Sequence, residues 1–235
     1  MRPEELDATS TGTELRERLQ HVYWIGGASG AGKSTIARRL AGRFGLHLYA
    51  TDEVMRDHAR RSTRVNAPLL TRFMSMNMDD RWLNRSPVDM LDTFHWFRGE
   101  GFDLIVEDLL RIPAETGVIA EGFRLLPRLI EPLAGPGHAV WLLPTPAFRR
   151  ATFDSRGTTW DIPNKTTNPQ RALHNLLERD KMFTDRLLAE AERLGLPTIE
   201  IDSGTNEEEL AEQVATALDF TTLDIGHRRE QREPS

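Results

Sequence analysis

The chain of 235 residues has no cysteine, which excludes disulfides, thiolate metal sites and a cysteine nucleophile and agrees with a reducing compartment. No apolar run approaches the ~20 residues that a membrane helix needs. The first ten residues, MRPEELDATS, are acidic and polar, unlike a secretory signal. The expected location is therefore cytoplasmic, with no membrane partner. Positive charge is not in excess either: 30 Lys and Arg against 36 Asp and Glu leave a net charge of -6. Without a uniform basic field, nucleic acid is not the expected partner. The seven histidines show no HxxxH or HExxH spacing, which speaks against zinc. Internal repeats are absent, and the sequence specifies no oligomeric state.

What is present is a complete phosphate loop of the pattern GxxxxGK[ST]: Gly27, Ala28, Ser29, Gly30, Ala31, Gly32, Lys33 and Ser34. At average glycine usage such a match arises by chance in only about one chain in a hundred of this length. Glycines let successive backbone N–H groups curl around phosphate oxygens where a Cβ would obstruct. Lys33 then reaches the β and γ oxygens, and Ser34 ligates Mg²⁺. The pattern demands a strand before and a helix after. Val22 to Ile25 and Thr35 to Ala41 supply them, with Ile36, Leu40 and Phe44 on one helical face. Thr35 opens that helix, whose N-terminus points its dipole at the anion. The expected cofactors are ATP and Mg²⁺.

The rest of the chain alternates β and α. Short strands are expected at Leu46 to Ala50, Gly117 to Glu121, Ala139 to Leu143 and Thr198 to Asp202. A helix is expected to start at Thr51, Asp52 and Glu53. The stretch FDLIVEDLL from Phe102 has apolar residues at i, i+3, i+4, i+7 and i+8, so it reads as a helix with Glu107 and Asp108 solvated. Long and short helices are expected near 169–194 and at Asn206 to Ala217. Residues 66–100 look less regular, with Phe73, Met74, Met76, Met78 and Trp82, then Phe94, Trp96 and Phe97, as core or pocket wall. Residues 154–168 are polar and rich in turn formers, and a structureless stretch of that length is usually functional or mobile.

The fold class expected is α/β: a P-loop NTPase three-layer sandwich with a five-stranded parallel sheet, helices on both faces and a mobile lid. Residues 1–18 form a polar lead-in, 19–219 the domain, with an acceptor region at about 57–100 and a lid at about 154–170, and 220–235 a charged flexible tail.

Four segments resemble the nucleoside monophosphate kinase-like group of P-loop kinases, which includes adenylate and shikimate kinases and chloramphenicol phosphotransferase. The likeness covers about residues 20–219. Beyond the phosphate loop, Thr51-Asp52-Glu53-Val54-Met55-Arg56 is similar to the adenylate kinase segment Thr-Gly-Asp-Met/Leu-Leu-Arg and to the Ser-Thr-Asp-x-x-Arg segment of 2-phosphoglycerate kinase-type proteins. Glu121-Gly122-Phe123-Arg124 resembles the Asp-Gly-Phe-Pro-Arg strand end of nucleotide kinases, without the proline. Arg156 stands where the group begins its lid and places an arginine on ATP phosphates, though Thr152 occupies the position of the usual first lid arginine. Ile201 to Thr205 resembles the last strand and loop, which pack beside adenine. By this resemblance Arg56 and Arg124 bind an anionic acceptor, and Glu121 supports the Mg²⁺ shell.

Phosphoryl transfer mostly needs positioning and charge neutralisation, and an acceptor hydroxyl adds a carboxylate that takes its proton. Asp52, expected at the C-terminal end of the second strand, suits that role; it suits equally the N-cap of a helix starting at Glu53. Glu121 reads either as a holder of Mg²⁺-bound water or as a strand-end turn residue. Arg60, Arg61 and Arg64 extend a basic run that either grips an anion or is solvated. Arg171 and Arg179 are further lid candidates. Asp79-Asp80 reads as helix surface or cap. The reading that fits most features is an ATP- and Mg²⁺-dependent phosphotransferase acting on a small-molecule hydroxyl. A nucleotide kinase with a phosphate acceptor is the alternative, and a P-loop ATPase or regulatory nucleotide-binding module is the alternative from another class. A GTPase would carry an NKxD motif and a DxxG strand end, and neither is found, since Asn164-Lys165 runs on into Thr166-Thr167. Trp82, Trp96 and Trp160 leave an RNA-linked substrate as a minor reading.

Overall fold

The computed structural model describes residues 8–156 and 162–220. In chain order its elements are α1 (Ala8–Arg18), β1 (Val22–Gly27), α2 (Lys33–Phe44), β2 (His47–Ala50), α3 (Met55–Arg61), α4 (Pro68–Ser75), α5 (Met78–Trp82), α6 (Pro87–Thr93) and α7 (His95–Arg98). They continue with α8 (Phe102–Leu109), β3 (Val118–Glu121), α9 (Pro127–Ile130), β4 (Ala139–Pro144), α10 (Pro146–Arg156), α11 (Pro169–Arg193), β5 (Thr198–Ile201) and α12 (Glu207–Ala217). The strands form one parallel sheet in the order β2-β3-β1-β4-β5. Strand β1 is central, flanked by β3 and β4, so its C-terminal end opens at the point where the connections diverge to either side. In open α/β sheets that crevice is where ligands bind.

Strand side chains alternate between faces with period two, and both faces are covered. Val22, Trp24, Val118, Ala120, Ala139 and Trp141 enter one core with Ile105 and Leu109 of α8 and Phe183 and Leu187 of α11. Ile25, Ile119, Val140 and Leu142 enter the other with Ile36 and Leu40 of α2 and Leu210 and Val214 of α12. This is the three-layer sandwich expected, and Phe44 packs on the second core as its spacing implied. Helix α8 forms where the 3.6-residue period placed it, although its Ile-Val-Glu centre has strand-like residues.

Several local expectations are corrected. The chain after β2 does not begin a helix at Thr51: it turns through residues 51–54, and α3 starts at Met55 with Val54 at its N-cap and no side-chain cap. Residues 66–100 are regular, folded into α4 to α7, because Pro68 and Pro87 start two of these helices and the Asn77 and Ser86 side chains accept N-cap bonds from Asp80 N and Asp89 N. Asp108 is not solvated; it accepts hydrogen bonds from Tyr49 Oη at 3.0 Å and Arg61 Nη1 at 2.8 Å and meets His58 Nε2 at 2.7 Å. That cluster also consumes Arg61, which bonds Glu107 as well. Asp79 proves to be a clasp, taking bonds from Thr167 N at 2.8 Å and Thr167 Oγ1 at 2.6 Å. In the stretch expected to be structureless, α10 runs to Arg156 and Pro163–Lys165 form a 3-10 turn; residues 157–161, Trp160 among them, lie outside the described residues, as does the tail from 221.

Candidate functional site

The loop between β1 and α2 has the backbone that an anion cradle requires. Gly27, Gly30 and Gly32 take positive φ of 125°, 84° and 76°, and a Cβ on Gly27 would stand 2.1 Å from the Leu142 carbonyl oxygen. Ser29, Gly30, Gly32, Lys33, Ser34 and Thr35 together with Asp52 line a hollow of about 80 Å³ at the start of α2. Ala28 and Ala31 are buried supports of the loop rather than part of that lining. The buried Lys33 donates Nζ–H to the Ala28 carbonyl at 2.7 Å, bent back along its own loop.

At the end of β3, Glu121 is buried and accepts a hydrogen bond from Ser34 Oγ at 2.9 Å. Burial pushes its carboxyl above the usual glutamate range; Lys33 and the Ser34 bond pull the other way, and Asp52 adds to the upward push. A carboxylate so placed gains from a cation beside it. Ser34 and Glu121 are hard oxygen donors, and among the described residues no group of three His, Asp or Glu could enclose a metal. That donor set fits Mg²⁺, which keeps most of its shell for water and phosphate oxygens and takes only one or two protein ligands.

Asp52 lies in the turn after β2. Its carboxyl is also pushed up, first by desolvation among surrounding protein, with Lys33 and Arg124 opposing. Asp52 is nonetheless exposed to solvent, which weakens that push. With α3 starting at Met55, Asp52 caps no helix, and the competing structural role for it falls away. The neighbouring Thr51 is fully buried and packs on Gly122, whose φ is 147° and whose added Cβ would lie 1.8 Å from Thr51 Oγ1. Gly122→Ala is expected to destabilise the protein by about 3 kcal/mol. In urea unfolding the double variant Gly122→Ala/Thr51→Ala should lose less than the two single losses added together. Strict additivity would mean that the contact is not the cause.

Beside the cradle a second cavity of about 350 Å³ opens between α3, α4, α5, α7 and α11. Its wall contains Phe73, Trp82, Phe94, Trp96, Phe97 and Phe123, and with them Met55, His95, Lys165 and Arg179. Ser29 and Asp52 line both this cavity and the cradle. The aromatic residues expected as core or pocket wall are therefore pocket wall and small satellite cores at once.

The arginines sort differently from expectation. Arg124 is buried, donates to the Gly101 carbonyl at 3.0 Å and the Thr51 carbonyl at 3.4 Å, and stacks 4.1 Å from the Trp96 ring. Burial lowers its pKa to about 10. It braces the turn that carries Asp52 and does not line the ring-walled cavity. Arg56 is exposed at the start of α3 and lines neither cavity. Arg156 ends α10, and its side chain lies outside the described residues. Two other cations reach the site. Arg149 stands over the loop, its Nη1 3.2 Å from where a Cβ on Gly30 would be. Arg179 of α11 lines the ring-walled cavity, and Asp180 bonds both guanidinium groups. Sequence reasoning missed Arg149 and Asp180. The only trace was an acidic residue next to Arg179 on a helix too long to show which turn faces inward.

His95 is buried in the cavity wall, and burial, with Arg124, Arg81 and Arg179 nearby, lowers its pKa to about 3. The unfolded chain takes up a proton near the ordinary histidine value while the fold does not. Stability is thus fully present above pH ~6.5 and is lost as pH falls toward the folded value, by about 1.4 kcal/mol per pH unit for this group. Urea unfolding at pH 7 and pH 5 should show that loss, and His95→Gln should shrink it; an unchanged difference would exclude His95 as the source.

The fold and the loop together define the class: an α/β domain whose five parallel strands run in the order β2-β3-β1-β4-β5, with a GxxxxGK[ST] loop between β1 and α2. Among solved structures, shikimate kinase from Acinetobacter baumannii in complex with shikimate is similar at 12% identity and a TM-score of 0.44, over 88% of this chain and 98% of that one. No protein-family model and no curated protein matches the chain. Among the described residues no helix is long and apolar enough to cross a membrane.

Proposed function

We propose that the protein is an ATP- and Mg²⁺-dependent phosphotransferase that moves the γ-phosphoryl group of ATP to a hydroxyl of a small molecule. The observation that carries this reading is that Asp52 lines both cavities, with the phosphate cradle on one side and the ring-walled pocket on the other. A carboxylate at that junction can orient a hydroxyl held in the pocket and take its proton, whereas it would repel the phosphate of a nucleotide acceptor.

In this reading the loop N–H groups and Lys33 hold the β and γ phosphates, with Lys33 leaving the Ala28 carbonyl to do so. Ser34 and Glu121 would hold Mg²⁺, and when bound the ion would supply neutralisation of phosphate charge. The acceptor oxygen bonds to the γ phosphorus, its proton passes to Asp52, and ADP departs. Arg149, above Gly30, is suited to the charge that grows on the equatorial oxygens, a task assigned from sequence to Arg156.

The test is ADP release from ATP with Mg²⁺ against hydroxylated aromatics, sugar acids, aminoglycosides and nucleoside monophosphates. Lys33→Ala should reduce release to the blank. Release that needs no acceptor would favour an ATPase, and release with nucleoside monophosphates alone would favour a nucleotide kinase.

A further inference from the structure

We infer that Arg124 is a positioning residue for Asp52: locked by two carbonyl groups and a ring, it fixes the turn that carries Asp52 and keeps a permanent positive charge near that carboxylate. This deepens the phosphotransferase reading of the site and rests on it. Arg124 is 2% exposed. Its Nη2 donates to the Gly101 carbonyl at 3.0 Å and its Nη1 to the Thr51 carbonyl at 3.4 Å, with the Trp96 ring 4.1 Å away. The Thr51 carbonyl belongs to the peptide unit whose nitrogen is that of Asp52. Thr51 also donates its own N–H to the Glu121 carbonyl at 2.9 Å, so the segment from Glu121 to Arg124 grips both ends of the residue before Asp52. Gly101 makes room for this: a Cβ there would lie 3.3 Å from Arg124 Nη2 and 3.2 Å from Trp96 Cζ3. Because Trp96 lines the ring-walled cavity, Arg124 fixes the Asp52 turn and the cavity wall against one another.

Holding two carbonyl groups does not demand a charge. A neutral amide brings two N–H donors, and taking a guanidinium out of water without an ion pair is costly. Among the described residues Arg124 bonds to carbonyl groups alone, and the carboxylates of Asp52, Asp108 and Asp103 act on it through space. What the guanidinium adds is its field at Asp52. Desolvation and Glu53 disfavour the ionised carboxylate there, while Lys33 and Arg124 favour it. Glu121 is a further acid close by, and Lys165, Arg179 and the uncharged His95 line the same cavity as Asp52. On the phosphotransferase reading Lys33 turns to the phosphates, which bring negative charge of their own. Arg124 cannot follow, because the carbonyl groups and the ring hold it. It is the cation that stays with Asp52 while Lys33 is engaged. The acceptor-binding task expected of Arg124 from sequence is not open to it, since it lines neither cavity.

The experiment follows the Asp52 carboxyl carbon by NMR in the full chain labelled with ¹³C-aspartate, its signal identified by its loss in Asp52→Asn, through a pH titration. In Arg124→Gln, which keeps N–H donors and loses the charge, the Asp52 midpoint is expected to rise by about 0.5 to 1 pH unit, solvent at the exposed Asp52 screening the rest. In Arg124→Lys, which keeps the charge and loses the fork, the midpoint should stay within about 0.3 pH unit of the wild type. Amide hydrogen exchange across residues 51–54 should be about 10-fold faster in Arg124→Lys, because one ammonium cannot hold both carbonyl groups. That variant keeps the inference testable if Arg124→Gln does not fold. An unmoved midpoint in Arg124→Gln, an equal rise in both variants, or exchange at the wild-type rate in Arg124→Lys would overturn the inference. An unmoved midpoint in a protein that releases ADP with a hydroxyl acceptor would overturn it and leave the phosphotransferase reading standing. The expected shift in a protein that transfers phosphate to no acceptor would support the role of Arg124 toward Asp52 and sink the phosphotransferase reading.

Discussion

Asp52→Asn is expected to lower acceptor-dependent ADP release on the order of 10²- to 10⁴-fold, the usual contribution of a positioned general base. The amide keeps the size of the side chain, and Asp52 caps no helix, so the fold and the affinity for ATP should change little. The pH profile carries the same argument. On the phosphotransferase reading catalysis needs Asp52 ionised, and desolvation raises its pKa, so kcat/KM should fall on the acid side at a pH above the ordinary aspartate value. In Asp52→Asn that limb should vanish from the residual rate. An Asp52→Asn enzyme with turnover within a few-fold of the wild type would remove the hydroxyl-acceptor mechanism and restore the nucleotide kinase as the better reading.

Asp180→Ala is expected to cost about 3–5 kcal/mol of stability, because it leaves two guanidinium groups facing each other without their shared counter-ion. The Arg149, Arg179 and Asp180 side chains are 11%, 6% and 7% exposed, so water does little to screen the repulsion. On the phosphotransferase reading catalysis should suffer as well, since Asp180 holds Arg149 over the glycine loop and Arg179 in the wall of the ring-lined cavity at once. Urea unfolding measures the first effect, and kcat in Asp180→Asn, which keeps the shape and loses the charge, measures the second. Unfolding at the wild-type urea midpoint would show that the bridge contributes nothing to the fold.

Much of the placement of the candidate site was legible in the sequence. The phosphate loop is local: eight consecutive residues have one backbone solution once a strand precedes and a helix follows them, and the structure has that solution. Glu121 was legible because an acid ending a buried apolar run has few places to go but the sheet's C-terminal edge. Asp52 was half legible. Its position after β2 followed from pattern, but the choice between cap and base depended on where α3 begins. The packing of Thr51 on Gly122 accompanies a turn there, and no local pattern signals that contact. The arginines were read worst. A guanidinium on a long side chain reaches any of several partners, and only the fold decides whether it meets solvent, a carbonyl or a ring.

The sequence by itself therefore determined the parallel α/β class, the glycine loop between β1 and α2 and the strand-end acids, since each arises from short-range periodicity or backbone geometry written into neighbouring residues. Tertiary structure alone decided that Asp52 joins two cavities, that Arg124 is spent on carbonyl groups, and that Asp180 ties Arg149 to Arg179. These contacts join residues far apart in the chain, and their energies depend on burial, which exists only once the layers have packed.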